Sequence, residues 1–290
     1  MSFKQFTISI GGIINNKHVN TFSGICRHLI WQVRKIFNFF PFEQTISESR
    51  IIAKHKRCGV SALINNQGMF DYNNMHFIKM LLKNGGIFFD IGANIGSYSL
   101  VASEQKEARI FAFEPHPSTF RLLKENLVLN GRNNVLAQNT AVGSTEGKIL
   151  FTDEFGSPLN HRVDNKETPE KKLIEVDCLR IDTFCRLMNV LPQFVKIDVE
   201  GFEYDVLAGF GDCLEAVDVI FIEINGLSDS RSKGGKDIAA MLINAGLSGP
   251  YEFDFDSMTF QRNDSAVEDS VFLSARFSKQ CTELGFRLLG

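Results

Sequence analysis

The chain has 290 residues, of which 44% are hydrophobic and 22% charged, a globular composition that excludes wholesale disorder and fibrous repeats. Its formal net charge of −3 at pH 7 argues against a function that depends on nucleic-acid phosphates. No apolar run reaches the roughly 18 residues of a transmembrane helix. The six cysteines lack zinc-site spacing and are typical of free thiols in a reducing compartment, so we expect a cytoplasmic protein.

The N-terminal segment differs in charge from the rest of the chain. Residues 1–60 hold nine Lys or Arg and two acidic residues, a net charge of +7, whereas the remainder carries −10. Such asymmetry indicates a separate unit. We therefore predict a basic N-terminal extension over 1–60, a catalytic domain over 61–276 and a C-terminal tail over 277–290.

An amphipathic helix is predicted within this extension and ends before Pro41, because the residue before a proline avoids helical angles. Its apolar residues recur at helical spacing and form one stripe, namely Cys26, Leu29, Ile30, Val33, Ile36, Phe37 and Phe40. We favour packing of this stripe against the main domain or a second copy of the chain. The alternative is a membrane surface, with Arg27, Arg34 and Lys35 near lipid phosphates. Residues 22–40 are thus a candidate surface for self-association or peripheral membrane binding.

The residues between this helix and the catalytic domain predict short elements. Residues 50–56 and 60–64 are typical of two strands around Cys58 and Gly59, and residues 65–68 of a turn. A helix is predicted over 72–83, capped by the glycines of 84–86.

A strand, a glycine turn and a helix open the catalytic domain. The apolar run 87–91 predicts a buried parallel strand, residues 92–96 form the turn, and a helix follows from Ser97. A second strand over 109–113 precedes a helix over 117–130. This alternation predicts an α/β fold with a doubly wound parallel sheet, in which ligands bind at the carboxyl ends of the strands.

The residues at these strand ends suit a nucleoside cofactor. Gly92 and Gly96 allow a tight turn and close approach of a ligand. Glu114 lies 22 residues beyond Gly92, where a carboxylate can accept hydrogen bonds from ribose hydroxyls, and Asp90 can face a cationic amino group. The dinucleotide pattern G-x-G-x-x-G is not met, because Asn94 occupies its middle position.

These motifs resemble those of a known family. The segments 89–96 and 113–115 look like the cofactor motifs of class I S-adenosylmethionine-dependent methyltransferases, and the segment 196–203, Lys-Ile-Asp-Val-Glu-Gly-Phe-Glu, narrows the resemblance to the FkbM-type family. The similarity extends over about 60–275. It implies a Rossmann-like, mostly parallel seven-stranded sheet with an antiparallel last strand. It also implies S-adenosyl-L-methionine as cofactor and methyl transfer to a hydroxyl of a sugar, glycan or small natural product.

The resemblance assigns site residues one by one. The residues implied for the cofactor are Asp90, Gly92, Asn94, Gly96, Glu114, Asn139 and Asp198. Asn139 stands for a residue between 139 and 142 that flanks the adenine, and a turn role for Asn139 is an equal alternative.

The remaining elements complete the fold. Further strands are predicted over 135–139, 194–197, 217–222, 251–255 and 271–273, and helices over 180–188, 202–207 and 236–245. The excursion 141–178 holds strands near 148–152 and 173–176 and a polar stretch that can order over substrate. His161 lies in that stretch, where a solvated side chain is the plainer interpretation.

A hydroxyl acceptor needs a general base near the methyl group. The candidates, in order, are Asp198, Glu200, Glu223 and His161. Acidic residues ahead of the helix at 202–207 can also cap it, and capping is the favoured role of Glu203. Asp198, Glu223 and Asn225 are oxygen ligands of the kind Mg²⁺ accepts, but the pattern is weak, so no metal is predicted and Glu223 is assigned to the acceptor pocket.

Other functions are disfavoured. The sequence at 198–201 lacks the Asn/Asp-Pro-Pro-aromatic motif of enzymes that methylate base amines, and Cys178 and Cys185 lie too early to serve as cytosine-attacking nucleophiles. We therefore expect no nucleic-acid partner. Two alternatives of other classes are a catalytically idle cofactor-binding scaffold and a nicotinamide-dependent oxidoreductase.

Overall fold

The computed structural model describes residues 10–153, 161–163, 172–224, 234–263 and 268–289. Its helices are α1 (Thr21–Phe37), α2 (Gly59–Gln67), α3 (Tyr72–Leu81), α4 (Ser97–Ser103), α5 (Pro117–Leu129), α6 (Ile181–Met188), α7 (Glu203–Ala208), α8 (Gly235–Asn244) and α9 (Ala275–Gln280), with a 3₁₀ turn at Gly211–Ala216. Its strands are β1 (Phe42–Ile46), β2 (Ser49–Ala53), β3 (Gly86–Ile91), β4 (Ala108–Phe113), β5 (Val135–Gln138), β6 (Ala141–Val142), β7 (Gly147–Thr152), β8 (Arg162–Val163), β9 (Leu173–Leu179), β10 (Phe194–Ile197), β11 (Val219–Ile224), β12 (Leu247–Asp254), β13 (Thr259–Arg262), β14 (Glu268–Ser274) and β15 (Arg287–Leu289).

The central sheet confirms the predicted fold class. In the described part of the chain its strand order is β5-β4-β3-β10-β11-β14-β12-β13-β15. The first five strands are parallel, and β14 runs antiparallel between β11 and β12. These seven strands are the predicted doubly wound sheet. The strands β13 and β15 extend it to nine.

The sheet is covered on both faces, which explains why its central strands are almost continuously apolar. Because successive side chains point to opposite faces, Phe88 and Phe89 of β3 belong to two different cores. In the first core Phe77 of α3 packs edge-on against Phe221, with ring centroids 5.4 Å apart. In the second core Phe89 packs against Phe184 of α6.

The segment after residue 277, which the sequence assigns to a tail, belongs to the packed fold. Phe277, Cys281 and Phe286 are buried in the first core, and β15 pairs with β13. Phe277 and Phe286 both contact Phe77, so this segment buries apolar surface against α3.

A hairpin of β1 and β2 packs on the catalytic domain. Side-chain amides of α5 and of its C-cap bind the outer edge of the hairpin: Asn126 Oδ1 accepts from Ile52 N at 2.9 Å, and Asn130 Oδ1 accepts from Arg50 N at 2.7 Å. Glu104, which follows α4, accepts from Ser49 Oγ at 2.8 Å. The hairpin is therefore fixed to the main sheet domain by polar contacts.

The predicted strand over 60–64 is wrong, because these residues belong to α2. Ser61 and Ile64 are buried one helical turn apart, against α1 and the hairpin, so the short apolar run follows a helical rather than an alternating pattern. The helix continues through most of the predicted turn and ends at Gly68, which has a φ of +71°. The other predicted strand, 50–56, corresponds to β2, whose partner is β1.

Helix α1 forms as predicted, but its apolar stripe does not pack on the main domain. The buried residues of α1 are Gly24, His28 and Trp31, whereas Ile36 is 75% and Phe37 64% exposed. Polar contacts fix this orientation: Arg27 donates to Asn66 O at 2.8 Å. Packing against the domain is thus excluded for Leu29, Ile30, Val33, Ile36 and Phe37, whereas Phe40, beyond the helix, contacts Trp31. No described helix is long and apolar enough to cross a membrane.

The predicted excursion after β5 is a separate small sheet, in the order β6-β9-β7-β8. Strands β7 and β9 confirm the two predicted there and run antiparallel. Most of the polar stretch proposed to order over substrate lies outside the described residues.

Candidate active site

A cavity of about 960 Å³ opens at the carboxyl ends of β3, β4, β10 and β11. Most predicted site residues line it: Asp90, Gly92, Asn94, Glu114, Asp198, Glu200 and Glu223. Three others, Gly96, Asn139 and His161, do not. Cofactor and acceptor candidates therefore share one space, as expected at the strand ends of an open α/β sheet.

The glycine turn after β3 is packed between neighbouring strand ends. Gly92 N and Ala93 N both donate to Phe113 O of β4 at 3.0 Å. Gly92 has a φ of +82°, and a Cβ there would lie 1.8 Å from Asp198 O. Only glycine allows the backbone just after β10 to approach this turn so closely.

Glu114 is bound to the same turn. Its carboxylate accepts from Asn94 N at 3.0 Å and from His116 N at 2.9 Å, one bond to each oxygen. Asn94 has a φ of +51°, and its own side chain accepts from Ile95 N at 2.8 Å. Glu114 is 6% exposed, and burial raises its pKa to about 7. Each carboxylate oxygen keeps a lone pair that can accept a hydrogen bond from a ligand hydroxyl.

Gly96 shapes the site without lining it. It precedes α4 with a φ of +92°, and a Cβ there would lie 2.5 Å from Leu123 Cδ1 of α5. Its role is the close packing of two helices behind the turn.

Asp90 and Ser97 add further polar groups to the part of the cavity beside the glycine turn. Asp90 is buried and accepts from Ser99 Oγ at 2.5 Å, and burial raises its pKa to about 6. Ser97 Oγ is buried without a hydrogen-bond partner among the described residues. An unpaired buried hydroxyl is costly, so it suits a ligand with polar groups. With the Glu114 carboxylate, this donor and acceptor set fits the ribose and the ammonium group of S-adenosylmethionine.

A buried lysine lies among the acidic residues beyond the glycine turn. Lys196 of β10 is 3% exposed, and its Nζ lies 3.6 Å from Asp198 Oδ2 and 5.2 Å from the ring centroid of Tyr98. Burial lowers its pKa, but surrounding carboxylates, Asp198 foremost, raise it above its usual range. The ammonium group therefore stays charged and offsets part of the negative charge in the cavity.

The carboxyl groups around Lys196 come from distant parts of the chain. Glu223 of β11 stands opposite Asp269 of β14 in the antiparallel register. Burial first, and the Asp198 charge second, raise the pKa of Glu223 to about 8. Asp71 accepts from Tyr98 Oη and from Asn74 Nδ2, and burial raises its pKa to about 7.

The segment after β10 has an unusual backbone. Glu200 has a φ of +56° and Gly201 a φ of +103°. Glu203 accepts from Gly201 N at 2.8 Å, which lies ahead of α7 rather than in its first turn, so this bond is not the helix capping predicted for Glu203. Asp198 and Glu200 instead line the cavity.

Asn139 and His161 lie away from the cavity. Asn139 Nδ2 donates to Glu114 O and Pro115 O, both at 2.9 Å, as the turn interpretation describes, and Thr140 and Ala141 line the cavity beside it. His161 N donates to Thr152 Oγ1. Asn225, of the alternative magnesium set, lies outside the described residues, and the described part holds no group of three or more His, Cys, Asp or Glu arranged for a metal.

The structure adds residues that the sequence did not indicate. His116 is buried in the cavity wall, with Nε2 3.0 Å from Asp153 Oδ1. The N-terminal extension contributes a whole wall: His28, Trp31, Gln32, Lys35, Lys56 and Arg57. The sequence does contain a local signal for His116, because this residue follows the motif residues Glu114 and Pro115. For the wall formed by the N-terminal extension, the only sequence signal is the charge asymmetry of the chain.

Known proteins resemble this chain in sequence. The sequence matches the methyltransferase FkbM domain over residues 90–255. It is 32% identical over 175 residues to the hexuronic acid methyltransferase AglP of Haloferax volcanii. The matched region covers 59% of this chain and 68% of the relative. It is 28% identical over 162 residues to Methyltransferase 1 of Beauveria bassiana, covering 49% of this chain and 64% of the relative. The chain thus spans less than two thirds of that fungal relative.

Solved structures resemble the chain more distantly. The precorrin-6y C5,15-methyltransferase of Geobacter metallireducens is 16% identical with a TM-score of 0.37, covering 72% of this chain and 79% of the other. TYW2 of M. jannaschii in complex with AdoMet is 14% identical with a TM-score of 0.41, covering 81% and 86%. The family assignment comes from the sequence match: the chain belongs to the FkbM family of methyltransferases, whose methyl donor is S-adenosylmethionine.

Proposed function

We propose that the protein methylates a hydroxyl group of a sugar, a glycan or a small natural product. The observation that carries this proposal is one cavity lined both by the cofactor motif and by Asp198, Glu200 and Glu223. S-adenosylmethionine, when bound, supplies an electrophilic methyl group. The protein has to position the acceptor and accept its proton.

The cofactor end is assigned from the geometry of the glycine turn. In this proposal Glu114 accepts hydrogen bonds from the ribose hydroxyls, since its two oxygens are fixed by backbone N–H groups. Asp90 and Ser97 face the ammonium end, and Gly92 keeps the turn open. Asp198 lies where the cofactor and acceptor regions meet, next to the backbone of Gly92.

Glu223 is the strongest candidate for the general base. Its raised pKa, about 8, makes its carboxylate a stronger base than an ordinary glutamate. The charge of Asp198 is offset by Lys196 at 3.6 Å, which suits a positioning role toward the acceptor hydroxyl. This reverses the order of these two residues expected from the sequence. If Glu223 is the base, turnover should rise with pH through about 8.

The decisive experiment is methyl transfer from labelled S-adenosylmethionine to a panel of sugars, uronic acids and glycans, with the product methyl located by NMR. Glu223→Gln should reduce kcat by about 10²-fold or more, the scale of general-base catalysis, with cofactor affinity unchanged. Glu252→Gln, an exposed residue of β12, is the matched control. A wild type that binds cofactor and methylates no acceptor would support the idle scaffold instead. The nicotinamide-dependent alternative is overturned by the family match.

The partner role of α1 is a separate proposal. We propose that the outward face of α1, together with Phe39 two residues beyond its end, binds an anionic lipid surface. The exposed residues of this face are Phe22, Leu29, Ile30, Val33, Ile36, Phe37 and Phe39. The sequence contains no acidic residue before Glu43, whereas it has five Lys or Arg there. The charged side chains of α1 are Arg27, Arg34 and Lys35, all basic, and an anionic lipid surface attracts a helix of this charge.

Vesicle co-sedimentation tests this face. The Ile36→Glu/Phe37→Glu variant should lose binding to phosphatidylserine vesicles. Val128→Glu, equally exposed on α5, should retain it. A wild-type dimer in analytical ultracentrifugation that dissociates in the double variant, without vesicle binding, would assign the face to self-association.

A further inference from the structure

One wall of the cavity comes from residues that precede the matched family domain, and it is basic. Lys35 of α1 and Lys56 and Arg57 before α2 line the cavity, whereas the carboxyl groups of the site come from strand ends and from Asp71. The cavity thus holds its strand-end carboxyl groups around both the cofactor motif and Glu223, and it holds three cations on its N-terminal wall. We infer that this basic wall is a subsite for an oxyanion, a carboxylate or a phosphate, carried by the acceptor. The inference rests on the proposed function and names the class of its substrate.

Lys35, Lys56 and Arg57 differ from the other cations that line the cavity, because those others form ion pairs with carboxylates. Lys196 is offset by Asp198, and Arg162 forms an ion pair with Asp205. Among the described residues, Lys35, Lys56 and Arg57 have no acidic partner within salt-bridge distance. A cavity wall of uncompensated positive charge attracts an anionic ligand and concentrates it there.

Neighbouring histidines respond to this positive charge. Burial lowers the pKa of His28, and Lys35 lowers it further. Burial lowers the pKa of His55, and the charge of Arg57 lowers it further. Helix α2 begins two residues after Arg57, at Gly59 in the cavity wall, and its positive end adds to the same field.

The wall suits the acceptor better than the nucleoside of the cofactor. The ribose and adenine candidates, Glu114 and Thr140, lie at the ends of β4 and β5, whereas the cations belong to the N-terminal extension. Arg57 presents a planar guanidinium that binds carboxylate or phosphate through two parallel hydrogen bonds. A sugar acid or a sugar phosphate would place its anion on this wall and a hydroxyl toward Glu223 and Asp198.

Calorimetry tests the subsite without requiring turnover. The full chain, saturated with S-adenosylhomocysteine, is titrated with glucuronic acid, glucose 6-phosphate and glucose. One of the two anionic probes should bind at least about 10-fold more tightly than glucose, the scale of a charge-assisted hydrogen bond. The anionic probe that binds more tightly shows whether the subsite recognises a carboxylate or a phosphate.

Variants of the wall residues test whether the anionic probe binds to the basic wall. Lys56→Gln/Arg57→Gln should weaken the anionic probe about 10-fold or more, while its S-adenosylhomocysteine affinity stays within about twofold. Lys106→Gln/Lys124→Gln removes two exposed cations away from the cavity and should change neither affinity. Both variants replace exposed side chains, and circular dichroism checks their folding.

Three results would overturn the inference. The first is equal binding of glucose and both anions, and the second is binding of neither anion by a wild type that binds S-adenosylhomocysteine. The third is loss of S-adenosylhomocysteine affinity in the Lys56→Gln/Arg57→Gln variant, which would assign the cations to the carboxylate of the cofactor. A wild type that fails to bind S-adenosylhomocysteine would contradict the proposed function itself, so the two failures are distinct.

Discussion

Asn94 N donates a 3.0 Å hydrogen bond to Glu114 Oε2, which joins the glycine turn after β3 to the acid at the end of β4. The two halves of the cofactor motif, 20 residues apart in sequence, therefore act as one hydrogen-bonded unit. A ligand that binds Glu114 also depends on the conformation of the turn.

Replacement of Glu114 by glutamine should weaken S-adenosylmethionine binding about 10- to 100-fold. The amide keeps one acceptor oxygen but presents an N–H group to one of the two backbone donors, which removes a charge-assisted hydrogen bond worth roughly 1.5–3 kcal/mol. Calorimetry on the wild type, Glu114→Gln and the control Glu252→Gln measures this. Equal affinity in all three would refute the ribose role of Glu114.

The stability of the cofactor-free protein should fall between pH 6.5 and 8.5. Burial raises the pKa of Glu114 to about 7 and of Glu223 to about 8, from 4.5 for an unperturbed glutamate. The folded state then binds more protons than the unfolded state. The contribution of each group is complete below pH 4.5 and is lost as pH rises through the folded pKa.

Thermal unfolding at both pH values checks this linkage. Glu223→Gln cannot ionise, so its loss of stability should be smaller than that of the wild type by about 1–2 kcal/mol. Glu252→Gln should behave as the wild type. A melting temperature that rises with pH would contradict the prediction.

Gly92→Ala should destabilise the protein more than Gly131→Ala. Both glycines have positive φ, +82° and +59°, so each alanine has a left-handed backbone that costs about 1–2 kcal/mol. Only at Gly92 does the new Cβ meet backbone, 1.8 Å from Asp198 O, whereas Gly131 has no atom within 4 Å of its Cβ position. We expect an extra loss of about 1–3 kcal/mol in urea unfolding for Gly92→Ala. Equal losses would show that β10 shifts freely.

Lys196→Met should lower the free energy of unfolding by roughly 3–5 kcal/mol, because it leaves buried carboxyl groups without their cation. The surface pair of Lys148 and Asp177 is the comparison: Lys148→Met removes an exposed partner and should cost about 0–1 kcal/mol. Chemical denaturation at pH 7 measures both. A small effect at Lys196 would mean that protonation of the neighbouring carboxyl groups replaces the lost charge.

The sheet and the position of the cofactor motif could be predicted because their signals are local. A buried parallel strand is a continuous apolar run, and the glycine turn with Glu114 lies within 25 residues of it. The topology then brings the ends of β3, β4, β10 and β11 to one edge. The residues that the fold adds by distant contact, such as Asp71 and Asp269, carry no sequence signal of their own.

The orientation of α1 shows why amphipathic pattern alone fails. The helix does carry an apolar stripe, but a different face of α1 packs against the rest of the protein. That face carries Arg27, His28 and Trp31, whose partners include Asn66 and Phe40. Hydrogen bonds to a backbone carbonyl and a buried indole outweigh the stripe here. Lys196 illustrates a second difficulty, since a lysine inside an apolar strand reveals its role only when its carboxylate neighbours are known.

The amides of Asn126 and Asn130 have a consequence for association of the chain with itself. A two-stranded hairpin normally leaves backbone N–H and C=O groups free along its outer strand, and such an edge can add a strand from another molecule. Here Asn126 and Asn130 bind the outward N–H groups of Ile52 and Arg50, and Asn130 Nδ2 also donates to Arg50 O. Helix α5 thus takes the place of a third strand and protects β2 against intermolecular β-sheet growth.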